Sequence, residues 1–227
     1  MKKKSRKYTE ALSKIEKGKL YSIEEATKLV KETSTSKFDG SVEIAVRLNL
    51  DVKKNDQQLR GAIVLPHGTG KTKKVLVLAK GDAAKAATEA GADYVGDVDL
   101  ITKIDKENWL DFDVIIATPE MMPLLGRLGK VLGPKGLMPN PKTGTVTPNI
   151  GAAVKEIKNG KIEYRTDKEG NMHIMLGKVS FSNEDLAENV QTVIDTVIRV
   201  KPAAQKGTYI KKAVLHSVMG PAIHLAI

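Results

Sequence analysis

Gly70, Lys71 and Thr72 stand in the stretch LPHGTGKTKKVLVLAKG, residues 65–81, and are the residue types that hold a nucleoside triphosphate. That chemistry needs a further glycine five positions earlier, so that bare backbone N–H groups can curl around the phosphates. Position 65 is Leu, and Gly68 is too close to replace it. The loop must also open a helix whose N-terminus faces the anion, yet KVLVLA follows, a run that reads as a strand. A dinucleotide fingerprint fails as well, because Lys73 stands where its third glycine belongs. The better reading of Gly68 and Gly70 is a hinge, with Lys71, Lys73 and Lys74 either solvated or beside a phosphate backbone.

Other chemistry is thin. There is no cysteine, which removes disulfides, thiolate metal sites and a cysteine nucleophile and fits a reducing cytosol. His67, His173, His216 and His224 lack metal-type spacing. Asp111 and Asp113 flank Phe112 just before VIIA. Such a pair can act as acid and base, but at this spot it more often caps or solvates a strand end. The expectation is no enzyme, no metal and no cofactor. A nucleotide-binding α/β enzyme and a general RNA chaperone remain the alternatives.

The charge points to a polyanion. The net charge is +10, which favours nucleic acid as partner. Residues 1–66 carry 15 Lys+Arg against 9 Asp+Glu, residues 67–159 carry 13 against 11, and residues 160–227 carry 9 against 7. If the two ends fold together, they form the electropositive lobe. Aromatic residues are only 4%, too few for a base-stacking platform, so backbone and shape should dominate RNA recognition. No apolar run nears the roughly 18 residues of a membrane span. The charged N-terminal stretch is not followed by an apolar one, so a secretory signal is not expected.

The elements fall into two styles. YSIEEATKLVKETS opens with Ser22 and Glu25 at capping-box spacing. SVEIAVRLNLD alternates, with Val42, Ile44, Val46, Leu48 and Leu50 on one side and Glu43, Arg47 and Asn49 on the other. That is a strand with one wet face. LRGAIVLP reads as a second strand, stopped by Pro66. After Gly70, KVLVLAK and FDVIIATPE are continuous apolar runs of the kind buried on both faces. They alternate with helices at DAAKAATEAG and VDLITKI, which suggests a small parallel α/β domain. A helix is expected from Pro119, and a Gly/Pro-rich loop then precedes the helix GAAVKEIKNG. Alternation resumes in KIEYRTDKEGNMHIMLG, two strands joined by a turn at Asp167–Gly170. Ser182 caps a helix with a core stripe of Leu186, Val190, Val193, Ile194, Val197 and Ile198. YIKKAVLHSVMGPAIHLAI reads as a strand broken near Gly220–Pro221.

The predicted fold class is α/β (α+β): a discontinuous two-layer domain of residues 1–66 and 160–227, with a Rossmann-like three-layer domain of residues 67–159 inserted. Gly68 and Gly70 mark the first crossing of the hinge, and Gly160 marks the second.

Three stretches go beyond composition: KFDGSVEIAVRLNLD at 37–51, LGPKGLMPNPKTGTV at 132–146 and HSVMGPAI at 216–223. They resemble the bacterial large-subunit ribosomal protein L-one family. RGAIVLPHGTGK, EAGADYVG and FDVIIATPEMM are similar to that family in the same order. The resemblance implies the same two-domain architecture with a hinge. It implies binding to the large-subunit rRNA stalk beside the tRNA exit site, help in releasing deacylated tRNA, and repression of translation of its own operon mRNA. It further implies a cytoplasmic, ribosomal location, and a monomer when free of the ribosome. The family's RNA contacts map onto Lys37, Phe38 and Glu43, and onto the turn Ser217, Val218, Met219, Gly220 and Pro221, where Val218 replaces the usual threonine. Asp167, Lys168 and His173 resemble a secondary contact region. For Phe38 and Met219 the competing reading is core packing. Lys135 and Lys142 in the 132–144 loop either meet RNA or tRNA, or belong to a buttress of the second domain.

Overall fold

The computed structural model describes residues 5–203 and 205–227. The chain divides into two compact units, Met1–Gly70 with Ile162–Ile227, and Lys71–Lys161. The crossings lie a few residues beyond the sequence-based limits of 66/67 and 159/160. Residues 1–4 of the first segment lie outside the described residues.

The first unit opens with α1 (Arg6–Ser13), which the sequence reading treats only as a charged stretch. Ser5 caps it, and Ala11 is its buried residue. In α2 (Ile23–Glu32) both bonds of the capping box between Ser22 and Glu25 are made. Next come β1 (Ser41–Leu48) and β2 (Arg60–Val64).

The chain then builds the second unit. Its elements are β3 (Val75–Leu78), α3 (Asp82–Glu89), β4 (Tyr94–Gly96), α4 (Val98–Glu107), β5 (Val114–Ala117), α5 (Met122–Leu125), α6 (Gly129–Leu132) and α7 (Ile150–Lys158). The helix expected from Pro119 is a broken series of short turns, with 3-10 segments at Pro119–Met121 and Gly126–Leu128. The return segment forms β6 (Lys161–Arg165), β7 (Asn171–Lys178), α8 (Asn183–Arg199), β8 (Ile210–Ser217) and β9 (Ile223–His224).

In the second unit β3 lies between β4 and β5, all parallel. Leu76, Leu78 and Ile115 pack on one face with Ile101 and Ile104 of α4 and with Met121, Leu125 and Leu132. Val75, Val77 and Ile116 pack on the other with Ala87 of α3 and Val154 and Ile157 of α7. All four residues of β3 are buried, as a sheet covered on both sides requires.

The first unit has a four-stranded sheet, β7-β1-β8-β9, and a separate two-stranded one, β2-β6. β1 runs antiparallel to both β7 and β8. One sheet face carries Val42, Ile44, Val46, Ile174 and Leu215. These join Ala26 and Val30 of α2 and Leu186, Val190, Val193 and Val197 of α8 in one core. Ile198 does not join it and is 51% exposed: one helical step past Val197 turns it off the stripe.

Two readings of the C-terminal half change. β6 and β7 do share the turn at Asp167–Gly170, but after the bridge Thr166↔Met172 they part into different sheets. β8 does not continue through a break. It folds back, and β9 pairs antiparallel with it at Val214↔His224 and Leu215↔Ile223.

Candidate RNA interface

Two loops meet at the Ser41 end of β1. Residues 34–40 lead into that strand, and residues 218–222 join β8 to β9. The Val218 N–H donates to the Ser41 carbonyl at 2.9 Å, and the Thr35 hydroxyl donates to the Met219 carbonyl at 3.2 Å. From the other side, Ser180 donates through its N–H (3.1 Å) and hydroxyl (2.9 Å) to the Asp39 carboxylate. Lys178 Nζ donates to the Asp39 carbonyl at 3.1 Å. The Ser36 hydroxyl bonds the Phe38 carbonyl at 3.0 Å. The first loop is thus fixed at several points while Lys37 and Phe38 stand outward.

Phe38 is 60% and Met219 74% exposed, so neither packs in the core. Large apolar side chains held outward on pinned loops have only external surface to cover. Met219 also has φ +62°, a left-handed conformation that costs a non-glycine residue of order 1 kcal/mol or more.

Beneath them the turn is tight. The Gly220 N–H donates to the Ser217 carbonyl at 2.9 Å. A Cβ on Gly220 would fall 2.3 Å from Ser217 Oγ. Ser217 is only 1% exposed, and its hydroxyl has no hydrogen-bond partner among the described residues. It therefore lies under the turn rather than on its surface. Val218 is half-buried, with its Cβ 3.8 Å from where a side chain on Gly40 would begin, and Pro221 is buried.

The pairing register sets the rest of this surface. Glu43 lies opposite His216 and Met175, Ala45 opposite Val214 and His173, and Arg47 opposite Lys212 and Asn171. Directly paired residues share a face, so all of these belong to the side of the sheet away from α2 and α8. Glu43 and His216 approach to 3.8 Å. The Asp167–Gly170 turn lies at the Leu48 end of β1, where the Leu48 N–H donates to the Gly170 carbonyl at 3.0 Å. Asp167 Oδ1 accepts from the N–H groups of Glu169 and Asn171 at 2.8 and 2.7 Å. Desolvation works to raise its pKa, but the hydrogen bonds from Asn171 and Glu169 prevail and hold the carboxyl below its ordinary value. Lys168 and His173 are exposed.

The predicted contact residues thus form two groups, the loops at the Ser41 end and the Asp167–Lys168 turn at the Leu48 end of a strand that spans roughly 23 Å at about 3.3 Å per residue, with His173 between them opposite Ala45. The sequence reading passed over Arg47, Lys212, His216 and His224 as contacts, although they lie on the face between and beside these groups. Alternation in β1 gives the side of Arg47. Only the register adds its neighbours.

The three glycines expected at a hinge all have positive φ: Gly68 +63°, Gly70 +69° and Gly160 +97°. Gly68 and Gly70 are packed within the first unit. Asn189 Nδ2 donates to the Gly68 carbonyl at 3.2 Å, and a Cβ on Gly70 would lie 2.9 Å from Phe181. No helix follows the Gly-Lys-Thr run; β3 does. Asp111 and Asp113 serve the strand ends of the second unit. The Lys74 ammonium donates to Asp111 at 2.7 Å, and the Lys74 N–H to Asp113 at 2.9 Å. The bond from Lys74 is the main reason that the Asp111 carboxyl titrates below its usual range. In the 132–144 loop, Asn140 gathers bonds from Thr143 and Thr145, and Thr145 and Thr147 bond Ala117 of β5. Lys135 and Lys142 remain exposed. Among the described residues, no group of three or more His, Asp or Glu side chains is placed to hold a metal ion, and no helix is long and apolar enough to cross a membrane.

The family model for the ribosomal protein L1p/L10e family matches residues 30–221, taking in the 34–40 loop, the whole second unit and the return segment as far as Pro221. The chain belongs to this family. It is a ribosomal, rRNA-binding protein, and its mixed α/β fold is the one that membership implies. The match begins within α2 and ends on Pro221, so the loop with Phe38 and the turn with Met219 both lie inside it.

Proposed function

We propose that the chain is a bacterial-type member that binds the large-subunit rRNA stalk beside the tRNA exit site of the cytoplasmic ribosome. It is a monomer when free. It helps deacylated tRNA leave, and it represses translation of its own operon by gripping a similar fold in that mRNA. The unit of the two chain ends carries the RNA, and the inserted unit moves about a hinge at Gly68, Gly70 and Gly160.

The observation that carries this reading is the pair of outward apolar side chains, Phe38 and Met219, on loops tied through Thr35 and Ser41. A flat apolar pair beside Lys37 suits riboses and base edges in a shallow A-form minor groove. Glu43 accepts from a 2′-OH, and Lys37 neutralises a phosphate. Gly220 lets the backbone come close. Val218, Ser217 and Pro221 shape the turn, and Asp167, Lys168 and His173 take a second, more distant part of the RNA.

The test is binding of a stalk rRNA transcript to Phe38→Ala and Met219→Ala. Phe38→Ala is expected to lose roughly 1–3 kcal/mol, the range for removing an aromatic side chain that stacks on a base, and Met219→Ala to lose less, both with unchanged melting temperature. Unaltered affinity, equal affinity for random duplex, or tight binding or turnover of ATP, GTP or NAD without RNA would refute the assignment.

A further inference from the structure

A groove of about 360 Å³ opens where the α1–α2 linker passes the start of β8 and the β9 strand. Its lysines are Lys19, Lys211 and Lys212, with His224 beside them, its outer apolar groups are Leu20 and Ile227, and no acidic side chain lines it. Leu20 is 61% exposed. Lys19 is shared with Glu16 at 3.2 Å. Neither Lys211 nor Lys212 has an ion-pair or hydrogen-bond partner among the described residues. Two adjacent lysines without an ion-pair partner among the described residues, beside a concave surface, hold a positive potential that no acidic side chain of the lining offsets.

The walls are rigid. The Tyr21 N–H donates to the His224 carbonyl, and the Ala226 N–H to the Tyr21 carbonyl, both at 2.9 Å. The Tyr21 hydroxyl accepts from the Glu16 N–H at 2.9 Å. The linker is thereby added to the edge of the sheet through the Tyr21↔Leu225 bridge. The groove is also continuous with the sheet face already described. His224 pairs with Val214, and Lys212 with Arg47. Along β8, Lys212 is five residues from Ser217, roughly 16 Å at strand spacing.

We infer that this groove is a further RNA subsite, which takes a phosphodiester segment of the same RNA, its phosphates on Lys211 and Lys212 and a sugar or base on Leu20. The inference rests on the proposed RNA-binding face, since the groove extends that face toward the β9 edge. RNA is favoured over an acidic protein segment because the groove adjoins that face.

The experiment measures affinity for the stalk rRNA transcript across a salt series, using the full chain. Lys211→Gln/Lys212→Gln should lower the slope of log affinity against log salt by roughly 1.4–1.8, since each neutralised phosphate contributes about 0.7–0.9. Leu20→Ser should weaken binding and leave the slope alone. Lys28→Gln, an exposed lysine on α2, is the control and should change neither. A double variant with the wild-type slope overturns the subsite, whether the true occupant is a protein or nothing. So does a Lys28 variant with an equal change, since any surface lysine would then suffice. Phe38→Ala separates the two readings. If it weakens binding while the lysine variants do not, only the groove fails. If wild type and all variants ignore the transcript, the RNA-binding face fails first.

Discussion

The two larger sheets among the described residues differ in how many faces they bury. β3 of the second unit is covered on both sides, by α4 and the turns after β5 on one and by α3 and α7 on the other. β1 of the first unit packs one face on α2 and α8 and leaves Glu43, Ala45 and Arg47 on the other. A covered sheet has used its side chains on its own stability. A half-covered one keeps a row of side chains in fixed register for something else. The outward Phe38 and Met219 lie at the rim of the half-covered sheet, not of the covered one.

The largest effects should come from neighbouring residues that contrast the two. In β5, Ile115 and Ile116 point to opposite faces, and both are buried. Replacing either with Ala should cost about 2–5 kcal/mol. In β8, Leu215 is buried while its neighbour Val214 lies on the open face. Leu215→Ala should cost about 2–5 kcal/mol, and Val214→Ala about 1 kcal/mol or less. Urea unfolding measures this. Trp109, the single tryptophan, lies in the second unit at 4.8 Å from Tyr94 and 5.4 Å from Phe112, so its fluorescence follows that unit while circular dichroism follows both. Equal costs at Val214 and Leu215 would mean that the open face is not open.

Next in size is the turn at the rim. Gly220→Ala drives a methyl into Ser217 Oγ. Overpacking of this kind costs roughly 1–3 kcal/mol, and here it should appear mostly as lost RNA affinity because the displaced residue is Met219. Ser217→Ala removes a buried hydroxyl that has no partner among the described residues. Such a deletion is close to neutral or stabilising, and combined with Gly220→Ala it should restore part of the binding. If Ser217→Ala instead abolishes binding, the hydroxyl reaches the RNA itself. A smaller effect is expected at Val218. A threonine there should tighten binding by on the order of 1 kcal/mol, the net value of one hydrogen bond; unchanged affinity for stalk rRNA would show that the hydroxyl plays no part.

Legibility in the sequence follows the same divide. Strict alternation from Val42 to Leu48 gave β1 and its wet side, and the unbroken apolar runs gave β3 and β5, because periodicity reports how many faces a strand buries. It does not report neighbours. That is why β6 and β7 read as partners although each pairs elsewhere, and why periodicity alone does not set Lys212 opposite Arg47 or His224 opposite Val214. α1 escaped because its cap and single buried alanine leave almost no apolar stripe. Phe38 and Met219 could not be assigned to core or surface from residue type, since an apolar side chain is ordinarily inside. The motif of the family singled them out, and the exposure removes the core reading.

The smallest effect concerns the covered side of the first unit, where His67 meets α8. Its ring lies 2.7 Å from Glu188 and 3.4 Å from Asp185. The hydrogen bond to Glu188, aided by the charge of Asp185, raises the imidazole above its ordinary pKa against a smaller opposing effect of desolvation. The folded chain therefore holds this proton more tightly than the unfolded one. The stabilisation is complete below about pH 6.5, the unperturbed value, and is lost as pH rises through the higher folded value. Solvent screens so exposed a pair, so the shift in melting temperature should be small and should shrink further in salt. Wild type should melt lower at pH 8 than at pH 6, and His67→Gln should lose that part of the slope. The His67 N–H also bonds Asn189, which holds the Gly68 carbonyl, so the same titration should loosen the segment that leads out of this unit. Protection of the Gly68 and Thr69 amides, taken relative to their intrinsic exchange rate at each pH, should then fall above the folded pKa in wild type only; protection that ignores pH would mean that Asn189 alone fixes the segment.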